Sequence, residues 1–84
     1  MKGQRQPAYA TVVGRFVRLE RECQSLDLKA FAKKVHYSAS GWSRVETGAT
    51  PMSLEHLKRA GDTLGVTPSA ILAEADEFWR RNHA

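Results

Sequence analysis

Between His36 and Gly48 the chain reads HYSASGWSRVETG. One guanidinium, Arg44, stands among short side chains: Ser38, Ala39, Ser40, Gly41 and Ser43. A guanidinium offers paired donors in a rigid fork, which fits a phosphate or the O6 and N7 acceptors of guanine. Three lysines, Lys29, Lys33 and Lys34, precede the stretch. These are types that meet a polyanion, although a solvated basic face has the same composition. Other chemistry is missing. His36, His56 and His83 lie far apart without ligand spacing, so no metal is expected. Gly14, Gly41, Gly48, Gly61 and Gly65 form no phosphate-cradling loop. No Ser, His and Asp set pairs a nucleophile with a base. The expectation is therefore no enzyme, no cofactor and no small-molecule ligand.

The 84 residues suffice for one small domain, and 42% hydrophobic residues allow it a core. Net charge is +4, unevenly placed. Residues 1–37 hold eight Lys/Arg against three acids, and residues 38–84 hold five against six. A basic front and a near-neutral back suit a nucleic-acid binder with a second face for something else. A single cysteine, Cys23, excludes an internal disulfide and reads as a partly buried core thiol in a reducing compartment. No apolar run approaches the roughly 20 residues of a membrane span, so the chain is expected to be cytoplasmic. Residues 1–8 read as a flexible basic arm whose Lys2 and Arg5 either reach a minor groove or stay unattached.

Residues 9–84 read as one all-α domain of five short helices. In the first, Tyr9 to about Gln24, Val12, Val13, Phe16, Val17, Leu19 and Cys23 share one arc, and Gly14 weakens the helix slightly. Asp27 caps a second helix to about Val35, with Leu28, Phe31, Ala32 and Val35 at helical spacing. Ser38 opens a third to about Thr47, stopped by Gly48. Ser53 caps a fourth with Leu54, Leu57, Gly61 and Leu64 on one face, ended by Gly65. Thr67-Pro68 starts the last, to about Arg81, with Ile71, Leu72, Ala75, Phe78 and Trp79 as its stripe. No segment alternates like a strand.

The second and third helices are short and joined by a tight turn, which is helix-turn-helix geometry: one helix braces the backbone while the next enters the major groove. That arrangement needs a small residue where the helices cross, and Ala32 supplies it. It needs inner anchors, which Trp42 and Val45 supply, and short or polar outer residues, which Ala39, Ser40, Ser43 and Arg44 supply. Gly41 is expected to keep the third helix close to its surroundings.

The segment LDLKAFAKKVHYSASGWSRVETG, together with MSLEHLKRAGDTLGVTPSAIL, resembles the Cro/C1 (Xre) helix-turn-helix regulators of bacteria and phages. Leu26, Phe31, Ala32, Ser38, Ser43, Val45, Glu46 and Gly48 match that pattern in type and register, and the likeness covers about residues 12 to 73. It implies a lambda-repressor-like five-helix domain that binds double-stranded DNA and regulates transcription. One module of this size gives a small interface, so a homodimer on a pseudo-palindromic operator is expected, and with no ligand domain its expected output is repression by occlusion. It implies base reading by Ala39, Ser40, Ser43 and Arg44, and phosphate contacts from Lys29, Ser38, Thr47 and Thr50, the last two through side chain or N–H. It further implies a structural pair between Glu46 and Arg21. Arg18 is the fallback partner, because Glu20 stands where the pattern would bury a residue.

Two further departures matter. Leu28 stands where the pattern often has Gln, and His36 takes the place of the turn glycine, which needs a left-handed backbone. Ile71, Phe78 and Trp79 are the expected dimer surface, the alternative being that Phe78 and Trp79 pack back on the first helix. An antitoxin that binds a toxin partner, or a restriction-modification controller, fits the same sequence.

Overall fold

The computed structural model describes residues 7–82, so Lys2, Arg5 and most of the expected arm lie outside the described residues, as does His83. Five helices follow one another: α1 (Tyr9–Cys23), α2 (Leu28–Lys34), α3 (Ala39–Thr47), α4 (Leu54–Leu64) and α5 (Pro68–Asn82). Among the described residues there is no strand.

Local chemistry sets the helix ends. The side chains of Asp27, Ser38 and Ser53 accept from the backbone N–H groups of Ala30, Gly41 and His56, satisfying donors that a helix start leaves orphaned. Thr67 Oγ1 accepts from Ala70 N–H at 3.1 Å, and Pro68 takes the first helical position. Gly48, at φ 92°, and Gly65, at φ 76°, end α3 and α4 in left-handed conformations. Two helices stop without glycine: Ser25 (φ 58°) follows α1 and His36 (φ 67°) follows α2. Both stops close the same way. Leu26 N–H bonds Arg21 O and Ser25 N–H bonds Glu22 O; Tyr37 N–H bonds Ala32 O and His36 N–H bonds Lys33 O. These paired bonds satisfy the last carbonyls and hold the turn despite the left-handed residue.

Helix α1 is the spine, packed against α5, α3 and α4, while α2 packs on α3. Trp42, Phe31, Val12, Val17, Val35 and Val45 are the largest fully buried side chains. Leu57, Leu64, Ile71 and Ala75 close the core from α4 and α5. The buried stripe of α1 runs through Val13, Val17 and Arg21, four residues apart. That orientation corrects two expectations. Leu19 is 56% exposed and Cys23 is also exposed, so both lie off that buried stripe. Leu54, expected on the inner face of α4, is 82% exposed, while His56 and Leu57 of the same helix are buried.

Gly14 does more than weaken α1. A Cβ there would lie 2.6 Å from Val45 O and 3.1 Å from Glu46 O, so only glycine lets α1 meet the α3 backbone directly. At Gly41, by contrast, a Cβ would meet Ser38 Oγ at 2.9 Å and otherwise only the edge of the Tyr37 ring at 3.7 Å. The close approach of α3 is made at Gly14, not at Gly41.

Candidate nucleic-acid interface

Helices α2 and α3 are joined by a turn, residues 35–38, and the His36 stop and the Ser38 cap fix its two sides. Helix α3 then has an inner and an outer face. Inside, the Trp42 ring lies 5.7 Å from Phe31, 5.7 Å from Tyr37 and 5.8 Å from His56 between centroids. Val45 is 1% exposed beside it.

Glu46, 3% exposed, is a buried carboxylate with three donors. Arg21 Nε reaches Oε2 at 2.8 Å and Arg21 Nη2 reaches Oε1 at 3.0 Å, a two-point pair. Trp42 Nε1 also donates to Oε2, at 2.8 Å. Arg21 Nη1 is used as well, donating to Leu26 O at 2.8 Å. The hydrogen bond to Glu46 is the main reason the guanidinium holds its proton even more firmly than usual. Arg18 instead pairs with Glu22 at 3.0 Å on the surface. Glu20 accepts from Gln24 Nε2 at 3.0 Å, so α1 accommodates it without turning Arg21 away.

The outer face is sparse. Ser40, Arg44 and Thr47 are exposed, and Ala39 and Ser43 are partly so. Neither Ser40 nor Arg44 uses its side chain in a hydrogen bond or ion pair among the described residues. Lys29, Lys33 and Lys34 are exposed on α2, and Ser38 is exposed at the start of α3. Thr47 Oγ1 donates to Arg44 O at 3.3 Å. Thr50 N–H donates to the same carbonyl at 2.9 Å, so Thr50 has only its hydroxyl to offer a phosphate.

At the far end, Ile71 is 3% exposed and belongs to the core, which removes it from any dimer surface. Helix α5 packs on α1 and α4, and Ile71 and Ala75 are its buried residues. Phe78 and Trp79 are half-buried on α1: Phe78 against Phe16 with centroids 6.1 Å apart, Trp79 edge-on to Tyr9 at 5.4 Å.

His56 has a place that its sequence position did not reveal. It is 7% exposed, and Nδ1 accepts from Ser53 N–H at 2.9 Å while Nε2 lies 2.6 Å from Tyr37 Oη. The signal was Ser53-Leu54-Glu55-His56, which has the spacing of a capping box with His in place of Glu or Gln. Among the described residues no group of three or more His, Cys, Asp or Glu can hold a metal ion, and no helix is long and apolar enough to cross a membrane.

Comparison with known proteins follows this geometry. A family model described as a helix-turn-helix domain matches residues 12–73. The structure of the clp gene regulator ClgR from Corynebacterium glutamicum superposes with a TM-score of 0.85 at 23% identity, covering 93% of this chain and 83% of that one. A second structure of the ClgR regulator from C. glutamicum gives 0.81 at 25% identity, covering 86% and 94%. A comparison with curated proteins finds no match.

Proposed function

The chain belongs to the helix-turn-helix domain family, and from that premise we propose that it is a sequence-specific double-stranded DNA-binding transcriptional regulator. It represses by occupying a pseudo-palindromic operator as a homodimer. The observation that carries this reading is the split of α3: an inner face fixed by Trp42, Val45 and Glu46, and an outer face of short side chains with one uncommitted guanidinium. A helix of this shape can sit deep in a major groove with its backbone close to base edges.

In this reading Arg44 pairs with a guanine, Ala39, Ser40 and Ser43 line the same groove, and shape of the duplex supplies further selectivity. Lys29, Ser38, Thr47 and the Thr50 hydroxyl meet phosphates. Residues 9–84 act as one binding domain and residues 1–8 as its basic arm. The exposed edges of Phe78 and Trp79 form the dimer surface, which sets two half-sites about 34 Å apart. The resemblance to a protein described as a gene regulator supports the regulatory part.

Selection from random duplex DNA is the test. A two-fold symmetric site should be enriched, and the selected duplex should bind two chains. Enrichment of nothing, with affinity that only follows salt, would leave a non-specific binder and sink the reading.

A further inference from the structure

We propose that His56 is a positioning residue for the recognition helix, acting through Tyr37, and that protonation of His56 releases α3 from α4. The geometry assigns the proton. Nδ1 accepts a backbone N–H from Ser53, so it carries no hydrogen, and Nε2 must donate to Tyr37 Oη. A neutral imidazole thus ties the first turn of α4 to the turn between α2 and α3. The tie continues by packing: the Tyr37 ring lies 5.0 Å from the imidazole and 5.7 Å from Trp42, whose indole holds Glu46. A second proton at Nδ1 would point a donor at the Ser53 N–H; Nε2 keeps its hydrogen in either state, so the bond to Tyr37 Oη is lost only as the repelled ring turns out of the cap and carries Nε2 away from Oη.

The groups facing His56 come from each neighbouring element. The turn contributes the uncharged Tyr37 hydroxyl, and α3 contributes Trp42 with Glu46 behind it. Helix α4 contributes Arg59, which opposes a positive imidazole, and Glu55, which favours one; the Pro51 carbonyl also favours it. Arg59 is itself engaged, with Glu55 at 3.1 Å and Val35 O at 3.3 Å. Burial first, then Arg59, hold the imidazole below the ordinary histidine value of 6.5. The unfolded chain therefore takes up the proton more readily than the fold. The stability that the tie contributes is complete above that value and is lost as pH falls through the lower value of the folded group.

The effect on DNA rests on the function proposed above, but the tie itself is tested without DNA. Backbone amide, Trp42 indole and His56 ring resonances of the full chain are followed from about pH 7.5 to about pH 5, within the range where histidines titrate. The same is done for His56→Gln, whose amide oxygen can accept the Ser53 N–H but does not titrate. In the wild type, amides across Ala39–Thr47 and the Trp42 indole should move with the midpoint of the His56 ring; in the variant they should stay still. Affinity for the selected duplex should fall about tenfold more in wild type than in the variant over this range. His36, exposed in the turn, is present in both chains and drops out of the difference. Movement confined to the first turn of α4, or equal affinity slopes in the two chains, would overturn the proposal. If no duplex binds at any pH, the functional reading fails while the resonances still decide the tie. Tyr37→Phe is the second variant: it keeps the α4 cap and the direct His56–Trp42 ring contact, so that turn and the Trp42 indole should still titrate while the other α3 amides no longer follow.

Discussion

On its inner face α3 carries Trp42, Val45 and Glu46, each at most 3% exposed, and Glu46 alone accepts three hydrogen bonds. On its outer face Ser40 and Arg44 are exposed, and their side chains are uncommitted among the described residues. The same nine-residue helix thus stores stability on one side and leaves the other free for the recognition proposed above. Substitutions should separate the two properties cleanly.

The largest effect belongs to Glu46→Ala. It strands a buried guanidinium and a buried indole N–H together, and removing one partner of a buried pair costs about 3–5 kcal/mol. Urea unfolding should show a loss of that size or no folded state; a loss under about 1 kcal/mol would mean that the inner face does not hold the helix. Next comes Gly14→Ala. The new methyl group would press on Val45 O and Glu46 O, and overpacking of this kind costs about 1–3 kcal/mol. Helix propensity returns about 1 kcal/mol, so a modest net loss is expected in thermal melts.

Arg44→Ala should leave stability within about 0.5 kcal/mol, as exposed substitutions do. Its expected cost lies in discrimination, about 1–3 kcal/mol at one base pair of each half-site in a competition assay. An equal loss across all sequences would instead make Arg44 a phosphate contact. The smallest effect is His36→Gly, which relieves a left-handed non-glycine stop and should raise stability by about 0.5–1 kcal/mol with base preference unchanged.

What the sequence made legible was whatever local chemistry signals. Asp27, Ser38 and Ser53 announce helix starts because their short oxygens compete for the first free N–H groups. Gly48 and Gly65 announce stops, and the left-handed demand on His36 was visible from its place between two helices. Arg21 and Glu46 lie 25 residues apart, and only the register of the resemblance joined them. Periodicity gave the apolar arc of α1 but not its edges. Leu19 and Cys23 fall outside because coverage depends on where α3 and α5 sit, which no short window encodes. Ile71 looked available for the same reason. The Tyr37–His56 bond spans 19 residues and joins a turn to a helix start, so it too follows from packing. The Trp42–Glu46 bond, four residues apart on one helix, was within reach of sequence reasoning.

Backbone contact at Gly14 gives the recognition helix a hard seat. Two helices separated by side chains can adjust by rotamer changes, as a cushioned joint does. Where α1 rests directly on the carbonyls of Val45 and Glu46, there is no cushion to compress. For a DNA-binding domain this makes the protein a fixed gauge. Misfit at an imperfect operator then falls on the duplex, whose bending cost depends on the flexibility of its steps. Operators should accordingly rank by the softness of base pairs the protein never touches as well as by those it reads.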